Sequence, residues 1–520
     1  MKIKKTVISA ALAVLTMALA GCTRTVVTSE LVTSGTEGST SVISGGEVLT
    51  TTPETTHDKG KGDLVVEKPG ADPNANYEAK GTVTVAVDTA RATDYEALFD
   101  SLKAVYSDIE LKFDYYAHST EDSAAEYLST RAAAGRLPDI VWDEAGKLPL
   151  YIQQGWVYPL DEFVEGDSDF QYVPDNLVKD YTFGGRLYAL PHQAQFEETF
   201  INLDVLDAIN KKMPSLDWTP EDFQEYLTAA ATDKYSGIEM LAMIPTMLTN
   251  AFNPDTTKYG YNMETKKFDV SGFVEAVKYT VNLRAVPNLE AWALRRTTTG
   301  GKTDYVIKFG SSADFTAFNK GLTLFHGVGS WELADAENRW SNMNWTMWTI
   351  PQSASRPGAM PLHVDHCFMT SSCKDPDTAF QVLRYITYSA EGNLARLSMY
   401  DEANKGKYAT INKLYYPTTT NPEVAAKFNS LPAVTETDKY LFKNIGNSVR
   451  YDLLKIVPGW TEIEHNYLNE SFNTAMDGAV ANVEPLLKEM ESKANEAMAK
   501  QWSDFNSKLA KVQAEFDATH

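Results

Sequence analysis

The chain has 520 residues, and at about 150 residues per domain this length predicts two to four domains rather than one. Its 70 acidic and 47 basic residues leave a formal net charge of -23. A chain this acidic repels phosphate backbones, so we expect no nucleic-acid partner. Hydrophobic residues make up 43% of the sequence, enough for a large core, and three cysteines are too few for a disulfide-based scaffold.

The N-terminal segment has the pattern of a secretion signal. Lys2, Lys4 and Lys5 precede an apolar run from Val7 to Ala20, which is as long as the hydrophobic part of a signal peptide and short for a membrane span. The run ends in Leu-Ala-Gly-Cys22, which resembles the lipobox of bacterial lipoproteins. We expect residues 1–21 to be a signal peptide and Cys22 to carry the lipid anchor. Ordinary secretion, with a cysteine at the junction by chance, is the alternative.

A polar stretch follows the expected lipid anchor. Residues 23–60 contain 11 Thr, 5 Ser and 5 Gly, and no aromatic residue occurs before Tyr77. Such a sequence cannot bury enough apolar surface to offset its conformational entropy. We therefore predict that residues 22–80 form a disordered tether between the membrane and the folded part.

The folded sequence begins with alternating strand and helix patterns. Thr82–Val87, Ile109–Tyr115 and Asp139–Trp142 alternate or run apolar as strands do, whereas Asp94–Tyr106 and Glu121–Ala134 have helical periodicity. Strand–helix–strand–helix–strand within so short a stretch predicts a parallel α/β unit. In open sheets of this kind, ligands bind beyond the carboxyl ends of the strands. The residues at those ends are Asp88, Tyr116, Asp143 and Glu144.

Later elements are marked by helix start signals. Thr219-Pro-Glu-Asp and Asp375-Pro each place a capping side chain before a proline at the first helical position. A predicted strand, Asp365–Ser371, precedes the second of these helices. The last 35 residues repeat apolar positions at helical spacing, from Met490 to Phe516, and residues 234–303 give no clear assignment.

Two cysteines lie within and after this predicted strand. Cys367 and Cys373 are six residues apart, about 20 Å if the intervening chain is extended, so we expect two free and largely buried thiols.

Sequence signatures of common enzymes and metal sites are missing. The chain contains no GxxxxGK[ST], HExxH, CxxC or GxSxG motif. His363 and His366 would face opposite sides of a regular strand, so we expect no metal there. A pair of carboxylates that hydrolyses a glycosidic bond leaves no recognisable spacing among 70 acidic residues, so that chemistry stays open.

The aromatic residues point to sugars. Several of the 10 Trp and 26 Tyr stand beside turn or polar residues, as do Trp142, Trp331 and Trp460. A sugar offers a C–H face for stacking and hydroxyl groups that bond to amides and carboxylates. Core packing is the general alternative for each of these tryptophans.

Several segments resemble the extracellular solute-binding proteins of bacterial ABC importers, in the carbohydrate-binding family that includes the maltose-binding proteins. Residues 132–143 resemble the family segment "aaGdlPDvvw", and residues 185–191 resemble "dGklYglP". Gly321–Trp331 resembles "GkaAm...G.W", and Val457–Glu462 resembles "vPgw.e". The segments keep the family order and cover most of residues 81–500.

The resemblance implies an α/β, two-lobed periplasmic-binding-protein-like fold whose discontinuous lobes are joined by hinge strands. By analogy the first lobe comprises residues 81–190 plus 351–395, and the second comprises residues 191–350 plus 396–480. Residues 481–520 form a C-terminal helix in this division.

The resemblance also assigns ligand-binding residues. Trp331 matches the aromatic residue that stacks on the sugar, and Asp143 matches an acidic contact after the third strand. Gln195 stands where the maltose-binding proteins have a glutamate, which departs from a maltose site. The remaining positions expected to line the cleft are Asp88, Glu144, His192, Asp365, His366 and Trp460.

The expected function is therefore capture of a carbohydrate, expected to be an oligosaccharide, without a cofactor and without catalysis, by a monomer that delivers its solute to ABC permease subunits. A lipid-anchored polysaccharide hydrolase and a purely structural or adhesive lipoprotein are the alternatives. The long Thr-rich tether favours display on a Gram-positive surface.

Overall fold

The computed structural model describes residues 72–89, 92–117, 120, 122–143, 146–401, 404 and 415–519. The predicted signal peptide, Cys22, Glu144 and most of the predicted tether lie outside these residues. Within the part that is described, no helix has both the length and the apolar character that crossing a bilayer requires.

The strands in chain order are β1 Gly81–Asp88, β2 Ile109–Tyr116, β3 Ile140–Asp143, β4 Thr182–Phe183, β5 Arg186–Leu187, β6 Leu190–Asn202, β7 Ser236–Ile238, β8 Tyr261–Asn262, β9 Lys267–Phe268, β10 Thr298–Thr299, β11 Lys302–Thr303, β12 Thr323–Gly329, β13 Trp345–Thr349, β14 Pro361–Met369 and β15 Val449–Arg450.

The α-helices in chain order are α1 Ala92–Val105, α2 Ser123–Ala133, α3 Leu148–Gln153, α4 Asp161–Val164, α5 Asp175–Lys179, α6 Leu203–Ala208, α7 Pro220–Ala230, α8 Ile244–Phe252, α9 Ser271–Arg284, α10 Asp304–Phe309, α11 Thr316–Asn319, α12 Leu333–Arg339, α13 Pro376–Ile386, α14 Ala390–Ser398, α15 Pro422–Ser430, α16 Glu436–Lys443, α17 Trp460–Ile463, α18 Asn469–Asp477 and α19 Val480–Thr519.

One mixed sheet organises the molecule, with the strand order β2-β1-β3-β14-β6-β12-β7. β1 pairs in parallel with β2 and β3, as the strand–helix alternation predicted. β14 is antiparallel to both β3 and β6, and β12 is antiparallel to β6 and parallel to β7. β6 is the longest strand because its first half pairs with β14 and its second half pairs with β12 and β13.

The predicted helix starts are confirmed by their capping bonds. The Thr219 side chain accepts from the Asp222 backbone N–H while Asp222 bonds back to Thr219, which forms a capping box at the start of α7. Phe223, Leu227 and Ala230 are buried along its apolar stripe. Asp375 likewise accepts from Thr378 N at the start of α13.

The predicted C-terminal helix is present and begins before the segment predicted for it. α19 has 40 residues, and the buried residues on its apolar side are Val483, Leu487, Met490, Ala494, Met498, Trp502, Phe505 and Leu509. Its first half contacts the region around α9, where Lys278 lies 2.8 Å from Glu484. Its last turns contact the region before β6, where Arg186 lies 2.7 Å from Asp517. The helix therefore connects two parts of the chain that are distant in sequence.

Asp72, the first of the described residues, already contacts the fold and lies before the predicted end of the tether. Arg384, which is 1% exposed, lies 2.6 Å from Asp72 and also pairs with Asp167 and Asp169. A buried guanidinium group requires such carboxylate partners, because an unpaired charge in the interior is strongly destabilising. Residues 72–80 are thereby held against the first part of the fold.

Candidate functional site

The strand registers bring two sets of carboxyl ends towards each other along β6. At the first edge β1 ends at Asp88 and β3 ends at Asp143. Asp143 pairs with His366 of β14, and His366 pairs in turn with Pro191 of β6, so this edge lies level with Pro191. At the second edge β12 ends at Gly329, which lies opposite Glu197 of β6. β3 is parallel to β6, and β12 is antiparallel to it. The carboxyl ends at the two edges therefore face each other across residues 191–197 of β6.

The space between these two edges, which we call the gap, has the size of a ligand cleft. Six residues of an extended strand span about 20 Å. Carboxyl ends of strands in open α/β sheets are the usual position of bound ligands. Two such ends facing each other make the gap the candidate binding site.

The residues predicted at the carboxyl ends of the first edge lie there. Asp88 is 6% exposed at the end of β1, and the backbone of Asp143 ends β3. Tyr116 ends β2, and its hydroxyl donates to the Trp142 carbonyl at 3.4 Å. The side chain of Asp143 and the whole of Glu144 are outside the described part of the chain.

Trp331 follows the carboxyl end of β12 directly. Its backbone belongs to the short 3-10 helix Ser330–Glu332, and its side chain is outside the described part. At the neighbouring strand, Glu239 follows the carboxyl end of β7. Its carboxylate accepts from Tyr305 and from Phe318 N at 2.8 Å, and burial raises its pKa.

His192 lies on β6 at the first edge but is only 1% exposed. Its Nδ1 lies 2.8 Å from Arg396 Nη2 and 2.8 Å from the Ile386 carbonyl oxygen, and Arg396 donates to the His192 carbonyl at 2.9 Å. The centroid of the His192 ring lies 4.0 Å from that of the Trp142 ring. These contacts orient the histidine ring on protein partners.

Gln195 lies within the gap and is partly exposed. It is the register partner of His363 on β14. His363 Nε2 lies 2.7 Å from Glu197 Oε1, which places a histidine–glutamate pair beside Gln195. The sequence offered no signal for this pair, since its members are 166 residues apart.

Asp365 and His366, both expected to line the cleft, are buried instead. Asp365 Oδ1 lies 2.5 Å from Lys455 Nζ, and its Oδ2 accepts from Gln193 at 2.5 Å. His366 is fully buried, and burial together with Lys455 and Arg450 lowers its pKa well below the usual range. Its ring is therefore neutral, and neither ring nitrogen has a hydrogen-bond partner among the described residues.

The pairing of β14 with β6 is irregular beside these two positions. The register shifts between Asp365, opposite Gln193, and His366, opposite Pro191. The extra residue is therefore His192 of β6, as in a β-bulge on that strand. Within the described residues no cluster of three or more His, Cys, Asp or Glu side chains could hold a metal ion.

Trp460 is also buried, although its position after Pro-Gly suggested a binding surface. It is 2% exposed, and its ring packs against Tyr261, Phe268 and Tyr259 at centroid distances of 5.5, 5.9 and 6.5 Å. The preceding Gly459 has a φ of 67°, a left-handed conformation that turns the chain into α17. The turn directs the indole into the core.

Residues that the sequence did not single out form a second polar group on β6. Tyr416 donates to Asp438 Oδ1 at 2.7 Å and lies 3.3 Å from Glu198 Oε1. Since the single hydroxyl proton goes to Asp438, Glu198 must itself donate to the tyrosine oxygen. Burial and the nearby Asp438 raise the pKa of Glu198 well above its usual value, which agrees with a protonated carboxyl group.

Cys367 and Cys373 are not joined in a disulfide, as predicted from their spacing. Cys367 is buried in β14, and Cys373 is partly buried. Burial raises the pKa of the Cys373 thiol to about 12, so this thiol stays protonated at neutral pH.

Comparison with known proteins identifies the family to which the chain belongs. The family model described as bacterial extracellular solute-binding protein matches residues 91–427, more than half of the chain. No curated protein matches the chain by sequence.

Solved structures share the fold at low sequence identity. A sugar transporter protein from Rhizobium etli in an open conformation has a TM-score of 0.61 and 18% identity, over 80% of this chain and 99% of its own. The sugar-binding protein MalE from Xanthomonas citri has a TM-score of 0.60 and 15% identity, over 82% and 99%. An ABC substrate-binding protein from Listeria monocytogenes in complex with cycloalternan has a TM-score of 0.58 and 17% identity, over 81% and 99%. The chain therefore has the two-lobed fold of periplasmic binding proteins.

Proposed function

Because the chain belongs to the bacterial extracellular solute-binding protein family, we propose that it captures a carbohydrate in the gap and delivers it to an ABC importer. The observation that carries the proposal is the meeting of two sets of strand carboxyl ends across residues 191–197 of β6. A solute bound there contacts both edges at once.

The mechanism is capture by closure. A solute that bonds to both lobes stabilises the closed arrangement more than the open one, so its binding shifts the population towards closure. The closed form then presents one continuous surface to the permease. No step of this cycle breaks a covalent bond in the solute.

Five predicted residues remain in the proposed site. Asp88, Asp143 and Glu144 supply acceptors for hydroxyl groups at the first edge, and Trp331 supplies a stacking ring at the second. Gln195, partly exposed on β6 between them, offers an amide that both donates and accepts. Asp365, His366, His192 and Trp460 are buried against protein side chains and are left out of the proposed contact surface.

The proposal includes the cellular setting. Lipidation at Cys22 anchors a monomer to the outside of the cell membrane, and residues 23–71 give it reach towards the permease. The solved structures support a carbohydrate as solute, because two of those described above are a sugar transporter protein and a sugar-binding protein and the third holds cycloalternan.

The test is a titration of the purified protein with sugars. A thermal-shift screen over gluco-, xylo-, galacto- and fructo-oligosaccharides first identifies a binder, and calorimetry then compares the wild type with Trp331→Ala. Loss of a stacked ring costs about tenfold or more in affinity. Trp156→Ala is the matched control. The backbone carbonyl of Trp156 accepts from Ser371 N near the amino end of β3, which places this tryptophan away from the gap.

Two results would contradict the proposal. If no sugar binds, the carbohydrate assignment is wrong. If Trp331→Ala binds within a factor of two of the wild type, the stacking role is wrong. Prolonged incubation with the bound oligosaccharide checks for hydrolysis, and accumulation of shorter products would favour the hydrolase instead.

A further inference from the structure

A strand-like segment extends the second edge of the gap beyond β7. Ile238 N donates to Leu289 O at 3.1 Å, and Glu290 forms a parallel bridge with Ile238. Trp292 N then donates to Glu239 O at 2.9 Å. The segment runs in the same direction as β7, so Trp292 lies at the same carboxyl edge as Glu239 and Trp331.

The Trp292 ring is held in place by a stack of side chains. The guanidinium carbon of Arg295 lies 4.3 Å from the centroid of the Trp292 ring and 4.4 Å from that of Tyr305. Arg295 is fixed in turn by Asp314 at 3.1 Å and by the Ala313 carbonyl at 3.0 Å. Tyr305 is 0% exposed and donates to Glu239. A ring held this rigidly loses little conformational entropy when a ligand binds.

Trp292 differs from Trp218 and Trp340 in its surroundings. Trp218 donates to Thr349 O at 3.0 Å, and Trp340 donates to Asn319 Oδ1 at 2.7 Å. Trp292 is partly exposed, although its indole N–H is enclosed and has no acceptor among the described residues. Arg295 covers one face of the ring, so the exposed part of a flat and rigidly held ring lies at the edge of the gap.

We propose that Trp292, positioned by Arg295 and Tyr305, forms a second sugar-binding subsite at the far end of the gap. Since β7 separates β12 from the Trp292 segment, two strand spacings, about 10 Å, lie between the backbones of Trp331 and Trp292. One pyranose ring cannot cover both. The inference rests on the proposed function and specifies the solute as an oligosaccharide whose units occupy both positions.

The experiment compares trisaccharides with their monosaccharides. Maltotriose, cellotriose, xylotriose and raffinose are titrated alongside glucose, xylose and galactose into the wild type, Trp292→Ala, Trp292→Phe and the control Trp156→Ala. Trp292→Ala weakens the binding of a trisaccharide at least fivefold and changes that of a monosaccharide less than twofold. Trp292→Phe keeps a smaller stacking ring, and its affinity for the trisaccharide falls between those of the wild type and Trp292→Ala.

A second measurement avoids any effect of substitution on folding. In wild-type protein labelled with 5-fluorotryptophan, the ¹⁹F signal assigned to Trp292 shifts on addition of the binding trisaccharide and stays in place on addition of its monosaccharide. An unmoved signal, or equal affinities in the wild type and Trp292→Ala, overturns the subsite while leaving the proposed function intact. If the wild type binds none of these sugars, the proposed function fails and the subsite with it.

Discussion

The two faces of β6 differ in the partners that surround their carboxyl groups. On one face, Gln193 bonds to Asp365 and Glu197 bonds to His363, next to the cations Lys455 and Arg450. On the other face, Phe196 packs edge-on against Tyr416, which also contacts Glu198. We call them the ionic face and the aromatic face.

Partners, and not burial alone, decide the protonation of the groups on these faces. Glu198 is 0% exposed, and its pKa is raised because it is buried near another carboxylate. Asp452, next to the ionic face, is also largely enclosed, with its side chain 8% exposed, and burial alone would raise its pKa. Arg450 and Lys455 nevertheless hold that pKa below its usual value. Two largely buried acids thus carry different charges, and substitutions can test this difference.

The largest effect is expected from Trp460, whose ring is packed in the core behind the ionic face. Trp460→Ala should lower the free energy of unfolding by about 4 kcal/mol, because a large buried ring leaves a cavity. Denaturant titration measures the loss. Affinity for the bound sugar, measured well below the melting transition, should be unchanged. A large loss of affinity in a fully folded variant would return Trp460 to the binding site.

Removal of the central cation tests the ionic face. Lys455→Met leaves Asp365 and Asp452 without their shared partner, and breaking a buried ion pair costs about 3 kcal/mol or more in unfolding free energy. Lys439→Met is the control, because its partner Glu436 is 80% exposed and an exposed pair contributes about 0–1 kcal/mol. Equal effects of the two substitutions would show that the ionic face contributes no more than a surface pair.

The aromatic face predicts a dependence of stability on pH. The unfolded state releases the Glu198 proton near the ordinary value of 4.5, whereas the folded state retains it to higher pH. The contribution of this group to stability is therefore full below that value and decreases as pH rises through the folded pKa. Glu198→Gln is neutral at every pH, so the stability of this variant relative to the wild type should increase from pH 4.5 upward.

Denaturation midpoints measured between pH 4.5 and 8 check this prediction. Glu515→Gln, at an exposed position on α19, serves as the control and should show no such trend. If the difference between Glu198→Gln and the wild type does not vary with pH, Glu198 is ionised in the folded protein and the assigned proton order is wrong.

The smallest effect is expected where α19 meets the region before β6. Arg186 and Asp517 form an exposed pair at the end of the helix, and Arg186→Ala should cost less than about 1 kcal/mol. A double-mutant cycle with Asp517→Ala isolates the pair. A coupling energy well above this limit would mean that the end of α19 is held by charge rather than by the packing of Phe505 on Phe183.

Local pattern was sufficient for much of the fold. The alternation from β1 to β3, the caps at Thr219 and Asp375, and the apolar stripe of α19 were all predicted from neighbouring residues, and each is confirmed. These features depend on interactions within a few residues, which the sequence displays directly. Residues 234–303 gave no assignment, and there the structure has short hairpins and two longer helices.

The candidate site depended on both local sequence pattern and tertiary contacts. The sequence by itself determined which residues stand at the carboxyl ends of β1, β2 and β3, because a strand and its end are local features. Trp331, after β12, was assigned by the family resemblance. Only the tertiary structure decided that Asp365 pairs with Lys455, 90 residues away, and that the register of β6 against β14 shifts at His192. It also brought Trp292 to the edge beyond β7. Contacts between distant segments and irregularities of register leave no periodic trace, so they become visible only when the chain is folded.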